Sequence, residues 1–260
     1  FVGALVAAFP AVTSVMMYNY VADGYALAFL LSCVAAMLAV KKRPCYIGSA
    51  VLIALSAGIY QAYITVTIML LLFSLILELL DKESDLKSLI IKTVKFLLTG
   101  VFGMILYYLV LNGLLKLTGA TLLEYQGFDS AASFEGIDIA ASLYVVKESF
   151  VGYFFDLSNG VGVFFLLNCI VFVLSLALYL KDVVKNRLSV AKVLLLLVYF
   201  AMLPVGASAL AFINSSVDYH NLMKMGFLVF YLFLIMQYEK TDFKCQKINV
   251  VKQWAIFAVV

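Results

Sequence analysis

Residues 46–80 read YIGSAVLIALSAGIYQAYITVTIMLLLFSLILELL, an apolar stretch whose length decides the fold. As one helix, its 35 residues would extend about 52 Å, well beyond the roughly 30 Å of hydrocarbon in a bilayer. Three basic residues precede it at 41–43, and four lysines follow within 82–95. Because basic loops remain in the cytoplasm, both flanks lie there and the segment must cross an even number of times. The sequence therefore predicts two short helices that turn within SAGIYQ, residues 56–61.

The rest of the chain has the same apolar character. Of its 260 residues 65% are apolar and 13% are charged, against about 45–50% and about 25% in soluble domains. Its mean hydropathy is +1.09. The apolar runs are 1–18, 25–40, 46–80, 96–115, 160–180, 193–213 and 223–238, with a truncated one from about 253. With the hairpin in the third run, they predict an all-α, polytopic transmembrane helix bundle of about eight full crossings plus the truncated one.

The charges agree with this topology. All but three of the 18 basic residues fall on the cytoplasmic side, the exceptions being Lys116, Lys147 and Lys224. Segment 137–156 is apolar but has a polar stripe, and crossing would place Lys147 and Glu148 in mid-bilayer at a cost of several kcal/mol. We therefore expect it to be an outer interfacial helix. We also expect 1–260 to be a single transmembrane domain, a fragment cut from a longer chain at both ends.

Two polar clusters stand at predicted outer helix ends. The first, YNYVADGY at 18–25, places the carboxylate of Asp23 among tyrosines that include Tyr25. Such a group can bind sugar hydroxyls and stack on sugar rings; the alternative is an aromatic belt with Asp23 as a helix N-cap. The second is Tyr60, Gln61 and Tyr63 at the hairpin tip. Gln61 could bond a sugar, or could satisfy backbone groups that the helix break frees.

Two further clusters lie later in the chain. Loop 119–136 carries Glu124, Tyr125, Gln126, Asp129 and Glu135, with a solvated loop as the alternative. His220 and Lys224 follow Asp218 at the predicted start of a helix. A helix N-terminus with a cation one turn in suits a phosphate, whereas the alternative for Lys224 is snorkelling to the headgroups.

The residues around the first two clusters carry a family resemblance. FPAVTSVMMYNYVADGYALAFLLSCVAAMLAVKK at 9–42 and LIALSAGIYQAYITVTIMLLLFSLILELL at 52–80 resemble the bacterial glucosyl transferase II family, the Gtr-type enzymes associated with O-antigen glucosylation. The likeness in motifs covers about 1–80, and beyond it the likeness is in helix layout.

The resemblance implies an enzyme similar to GT-C polyprenyl-phosphate-dependent glycosyltransferases. Such an enzyme is a hexosyltransferase of the bacterial cytoplasmic (inner) membrane. It moves glucose or a related hexose from a polyprenyl-phosphate carrier to a cell-surface glycan such as O-antigen, on the outer side of that membrane. Its partners are the donor lipid, the glycan acceptor and the bilayer, with no nucleic acid. We expect no cofactor and no metal site: a divalent cation is possible in the superfamily, but no residues here have ligand spacing.

The resemblance also suggests roles for site residues. Asp23 matches the family's Asp-x-Tyr position and is a candidate general base, with substrate binding left open as its other role. The main base of such enzymes is expected in an outer loop before Phe1. Substrate contacts are assigned in two groups, the sugar site and the carrier phosphate. The sugar site has Tyr25, Tyr60, Gln61 and Tyr63, and the phosphate has His220 and Lys224.

A transporter or flippase of a lipid-linked saccharide is the alternative function. It would require polar residues at midplane depth and often inverted repeats. Neither is visible in the sequence.

Overall fold

The computed structural model describes residues 2–121, 138–156, 162–210 and 220–240, and every regular element within them is helical. Ten α-helices and two 3-10 turns follow one another in these ranges. They are α1 (Val2–Ala8), α2 (Pro10–Met16), α3 (Ala22–Val40), α4 (Tyr46–Ile59), a 3-10 turn (Gln61–Tyr63), α5 (Ile64–Leu79), α6 (Leu86–Thr118), α7 (Ile139–Phe154), α8 (Val163–Lys185), α9 (Val190–Ala207), a second 3-10 turn (Asn221–Met223) and α10 (Met225–Lys240).

Within these ranges, five helical stretches are long and apolar enough to cross a membrane. They are Ala22–Val40, Gln61–Leu79, Leu86–Thr118, Phe165–Lys185 and Val190–Ala207. Tyr46–Ile59 and Met225–Gln237 are apolar but shorter. The all-helical membrane architecture agrees with the sequence, whereas the count of eight crossings is not confirmed. The truncated run from about 253 lies outside the described residues.

The first apolar run does not form the single crossing helix that the sequence predicts. It breaks into two seven-residue helices at Phe9, whose backbone is extended (φ −66°, ψ 133°), and Pro10 occupies the first position of α2. The residue before a proline is disfavoured from helical geometry by steric clash, which explains the break. Each piece is only about 10 Å long at the helical rise and cannot cross alone.

The predicted hairpin in 46–80 is confirmed. Helix α4 ends at Ile59, and Tyr60 is extended (φ −155°, ψ 113°) before the 3-10 turn leads into α5. The Tyr60 N–H donates to the Ser56 carbonyl at 2.9 Å. The Ser32 hydroxyl of α3 donates to the Tyr63 carbonyl at 2.9 Å. Backbone groups at the break are thus satisfied from α4 and α3, as an apolar environment requires.

Small residues let α3, α4 and α6 approach closely. Ser32 and Ser56 are buried with their hydroxyl oxygens 2.8 Å apart, and the Ser49 hydroxyl donates to the Ala35 carbonyl at 2.8 Å. A Cβ on Gly103 of α6 would lie 2.7 Å from Ile53 Cγ2 of α4. Such interfaces are typical of membrane helix pairs, whose association depends on close backbone packing and interhelical hydrogen bonds.

Helix α6 begins ten residues earlier than the apolar run it contains. Asp85 caps its N-terminus, accepting the Ser88 N–H at 2.9 Å. The outward side of α6 carries exposed large apolar residues, among them Leu97, Phe102 and Leu109. A continuous apolar surface of this size is unfavourable in water and suits lipid.

Lysines gather at one end of the bundle, here called the lysine end (41–46, 80–95 and 181–192). The buried Lys192 ammonium donates to the Ser84 hydroxyl at 2.8 Å and to the Asp81 carbonyl at 3.2 Å. Asn186 donates to the Leu80 carbonyl at 2.6 Å. These bonds from α9 and the turn before it fix the chain that connects α5 to α6.

Candidate functional site

Three tyrosines meet at the opposite end of the bundle, called the tyrosine end (18–25, 59–64 and 220–224). The ring centroids of Tyr25 and Tyr60 are 4.9 Å apart, those of Tyr60 and Tyr63 are 5.6 Å apart, and those of Tyr25 and Tyr63 are 6.2 Å apart. Tyr25 stands in the first turn of α3, and the other two flank Gln61 at the hairpin tip. The structure therefore joins the first and second predicted clusters into one, called the tyrosine cluster (Tyr25, Tyr60, Tyr63).

The three rings have different environments. Tyr63 is only 1% exposed, and the centroid of its ring lies 6.3 Å from that of Phe29. Tyr25 and Tyr60 are half-buried. Tyr63 thus packs against the other two rings from the buried side of the cluster, and the accessible surface of the cluster belongs to Tyr25 and Tyr60.

Gln61 makes a side-chain contact across the bundle. Its Nε2 donates to the hydroxyl of Tyr107 on α6, and both residues are half-buried. The observed bond fixes the amide to a neighbouring helix, whereas the break in the backbone is satisfied by Ser32 and Ser56. Tyr107 was missed in the sequence, where it lies inside a long apolar run.

Asp23 lies at the surface beside the cluster, in the first turn of α3. Its Oδ1 accepts the N–H of Gly24 at 2.9 Å. The N-cap position belongs to Val21, which makes no side-chain cap bond, so the N-cap alternative for Asp23 is wrong. An anionic group in a first helical turn is still favoured by the helix dipole.

Lys224 belongs to the same end. Its Nζ lies 3.3 Å from Asn221 Oδ1 and 5.9 Å from the ring centroid of Tyr153. The half-buried His220 precedes the 3-10 turn, and its carbonyl accepts the Met223 N–H at 3.0 Å. The helix predicted to open at this point begins only at Met225, because the three-residue turn intervenes. Asp218 lies outside the described residues.

The two 3-10 turns pack against each other, and the second also packs against α2. This contact brings the hairpin tip and the Lys224 region to one end of the bundle. Phe9, the residue that precedes α2, is buried and only 3% exposed. The centroid of the Phe9 ring lies 6.1 Å from that of Tyr153 and 6.4 Å from that of Tyr231.

A polar network beneath Lys224 was also missed in the sequence. Tyr231 donates its hydroxyl to Asn168 Oδ1 at 2.9 Å, and Asn168 Nδ2 donates to the Phe154 carbonyl at 3.0 Å. Tyr153 stacks on Phe227 with centroids 4.7 Å apart. Burial, with a smaller effect of Tyr231, raises the pKa of Tyr153 above its ordinary value, so the environment favours the neutral phenol. These residues come from α7, α8 and α10, and no sequence motif connects them.

The predicted interfacial segment is helical. Asp138 caps α7 by accepting the N–H of Ala140 at 2.9 Å. Phe154 is buried in the bundle, whereas Lys147 and Glu148 are exposed and form an ion pair at 3.3 Å. One side of α7 therefore packs inward and another carries charge, as its sequence indicates.

Some predicted groups receive no structural description. The five polar residues of loop 119–136 lie within 122–137, outside the described residues. Among the residues that are described, no group of three or more His, Cys, Asp and Glu side chains could hold a metal ion.

The comparison with protein families decides the identity of the chain. The family model of glucosyl transferase GtrII matches residues 1–241. The chain belongs to this family. No curated protein and no solved structure matches it.

The match extends well past the motifs within 1–80. It spans every described element of this GtrII family member, including α7 and the Lys224 region. The family is one of glucosyltransferases, and it implies a sugar donor and a glycan acceptor. Both the tyrosine cluster and Lys224 fall inside the matched range.

Proposed function

We propose that this GtrII family member moves glucose, or a related hexose, from a polyprenyl-phosphate carrier to a cell-surface glycan such as O-antigen. The reaction takes place at the tyrosine end, on the non-cytoplasmic side of the bacterial cytoplasmic membrane, in a GT-C-like bundle. The observation that carries the proposal is the gathering of the tyrosine cluster, Gln61, Asp23 and Lys224 at one end of a family-matched bundle.

The orientation follows from charge. The lysine end holds three of the basic stretches and its loops are short, so the positive-inside rule assigns it to the cytoplasm. The tyrosine end then faces the opposite side. Nucleotide sugars are absent there, and a hexose must therefore arrive on a lipid that reaches the headgroup level.

The chemistry requires a group for each part of the donor. Lys224, held by Asn221 and the Tyr153 ring, supplies a cation for the carrier phosphate. Tyr25 and Tyr60 offer ring surface and hydroxyls to the hexose. An aromatic ring against a sugar face excludes water there, and the polar tip of a tyrosine can still donate or accept a hydrogen bond.

In the transfer step, an acceptor hydroxyl oxygen attacks C1 of the hexose as the bond from C1 to the phosphate oxygen breaks. The polyprenyl phosphate leaves with the electron pair of that bond, and the acceptor proton passes to a carboxylate. Asp23 is the candidate for this base among the described residues, since it is exposed at the edge of the cluster. General-base assistance of this kind contributes about 10²–10⁴-fold.

A flippase has less support. The buried hydroxyls of Ser32, Ser56 and Thr67 bond to one another or to backbone carbonyls. They thus join helices together, and they do not suggest a hydrated path of the kind that transport needs.

A transfer assay in membranes that contain the full-length protein tests the proposal. The membranes are supplied with polyprenyl phosphate bearing radiolabelled glucose, together with acceptor glycan. We expect label to move to the glycan, at a rate lowered at least about tenfold by Lys224→Met or Asp23→Asn. Lys147→Met is the matched control. The Lys147 Nζ also lies over a tyrosine ring, 5.8 Å from the centroid of Tyr144, but Lys147 is exposed on α7. Label that stays on the lipid with wild-type protein would overturn the proposal.

A further inference from the structure

The turn between α2 and α3 presents a second pair of tyrosines, separate from the tyrosine cluster. Tyr20 is 82% exposed and Tyr18 is 41% exposed. Their ring centroids are 6.4 Å apart at an interplanar angle of 64°. Within the part of the chain that the structure describes, the close ring contacts of these two residues are with each other. We refer to them as the exposed pair (Tyr18, Tyr20).

The turn that carries the exposed pair is held by backbone hydrogen bonds. The Tyr18 N–H donates to the Val15 carbonyl at 2.9 Å, and the Val21 N–H donates to the Tyr18 carbonyl at 3.0 Å. Two large rings therefore stand at the surface on an ordered backbone. Preorganised aromatic side chains lose little conformational entropy when they bind, which favours recognition.

The charge of this region restricts what it can bind. Asp23 is the only charged side chain in residues 1–40. It is the second residue of α3, and its side chain is exposed. At the exposed pair this carboxylate disfavours phosphate and anionic lipid headgroups, whereas the cation proposed for a phosphate, Lys224, belongs to the donor site. The Asp23 carboxylate accepts hydrogen bonds from neutral hydroxyl groups, and aromatic rings stack on the apolar faces of sugars. The chemistry that fits the exposed pair with Asp23 is a neutral saccharide.

The position of Asp23 connects the two aromatic groups. It comes between the exposed pair and Tyr25 in the sequence, and the first turn of α3 touches the end of α4, where a Cβ on Gly24 would lie 3.7 Å from Ile59 Cγ2. A saccharide on the exposed pair would therefore lie next to the proposed hexose site, on the side of the candidate base.

We propose that Tyr18, Tyr20 and Asp23 form the docking site for the acceptor saccharide, distinct from the donor site at Tyr25, Tyr60 and Lys224. This assignment rests on the proposed transferase function. It divides the YNYVADGY segment between two substrates: the exposed pair stacks on a neutral sugar unit of the glycan, and Asp23 accepts a hydrogen bond from the hydroxyl that is to be glycosylated.

Steady-state kinetics of the full-length protein test the assignment. The double variant Tyr18→Ala/Tyr20→Ala is expected to raise KM for the acceptor about tenfold, which corresponds to about 1.4 kcal/mol of binding free energy, because both rings that would stack on the sugar are removed. KM for the polyprenyl-phosphate donor and kcat at saturating acceptor stay near wild type. The single variant Tyr20→Phe, in which Tyr18 is intact, keeps both rings and should retain most of the acceptor affinity. Tyr108→Ala is the matched control, because Tyr108 is also 41% exposed but lies on α6.

Equal effects of the double variant on donor and acceptor KM, or none on acceptor KM, would overturn the assignment. A binding measurement keeps it testable without transfer: in Tyr20→Trp protein, made with Trp254→Phe, acceptor saccharide alone should change the indole emission. If spin-labelled lipid quenches that emission and saccharide leaves it unchanged, the pair is a lipid anchor and the assignment fails. Absence of transfer by wild-type protein would instead count against the proposed function.

Discussion

The rings of Tyr25 and Tyr60 lie with their centroids 4.9 Å apart at an interplanar angle of 44°. This contact joins the first turn of α3 to the residue that follows α4. It exists because the α4–α5 segment turns at Tyr60 and does not continue as one helix. The proposed hexose surface is therefore a product of the helix break.

Removing the Tyr60 ring tests that surface. We expect Tyr60→Ala to lower kcat/KM for the donor by about 2- to 12-fold, because an aromatic contact contributes roughly 0.5–1.5 kcal/mol. Tyr60→Phe should retain most of the activity, since it keeps the ring face. Tyr144→Ala serves as the control, because Tyr144 is 62% exposed on α7. Unchanged donor kinetics in Tyr60→Ala would remove Tyr60 from the site.

The bond from Gln61 to Tyr107 predicts an energetic coupling between the hairpin tip and α6. Gln61→Ala and Tyr107→Phe should each lower the free energy of unfolding by about 0.5–1.5 kcal/mol. The double variant should lose less than the sum, because both changes remove the same bond. Unfolding in detergent, followed by circular dichroism, measures the cycle. In the comparison cycle Tyr108→Phe replaces Tyr107→Phe, and additivity is expected; additivity in both cycles would contradict the contact.

Two glycines of α6 predict opposite outcomes for the same substitution. Gly103→Ala would place a Cβ 2.7 Å from Ile53 Cγ2 and 3.0 Å from the Ala50 carbonyl oxygen. Overpacking of this kind costs about 1–3 kcal/mol, so thermal stability in detergent should fall. At Gly100 nothing lies within 4 Å of the added Cβ, and Gly100→Ala should be neutral or slightly stabilising by helix propensity. Equal melting temperatures for the two variants would show that α4 and α6 do not pack as described.

The buried Lys192 ammonium predicts a structural role at the lysine end. Lys192→Met removes the donor to the Ser84 hydroxyl and the Asp81 carbonyl, and hydrogen bonds to charged groups contribute about 1.5–3 kcal/mol. The 80–85 connection should then become more susceptible to limited proteolysis. Lys87→Met, at an exposed position of α6, is the control. Identical cleavage rates in the two variants would argue against the role.

The orientation of the two ends is directly measurable. In protein whose native cysteines are replaced by serine, Met17→Cys should react with a membrane-impermeant maleimide added to intact spheroplasts. Lys42→Cys should react only after the membrane is permeabilised. Both positions are exposed, so accessibility within the protein does not confound the comparison. Labelling of position 42 alone in intact spheroplasts would reverse the topology and remove the proposed reaction from the non-cytoplasmic side.

The sequence alone determined the helical membrane character and the hairpin in 46–80. Both follow from length: apolar runs match the bilayer, and 35 residues between two basic flanks exceed it. It also singled out Tyr25, Tyr60 and Gln61 as candidate site residues, because polar and aromatic side chains between apolar runs are conspicuous. The signal for the break at Phe9 was present in Pro10, yet the apolar run around it predicted a single crossing.

Only the tertiary structure decided which of these side chains meet. Tyr107, Asn168 and Tyr231 lie inside apolar runs, and Tyr153 lies in the interfacial segment 137–156. Their partners are on other helices, so no local spacing reveals them. The structure also separated Tyr25, which packs against Tyr60, from the exposed Tyr18 and Tyr20. Helix periodicity fixes the direction of a side chain only relative to its own axis. Contacts between helices depend on how the axes pack, and that packing is set by buried surfaces distributed over the whole chain.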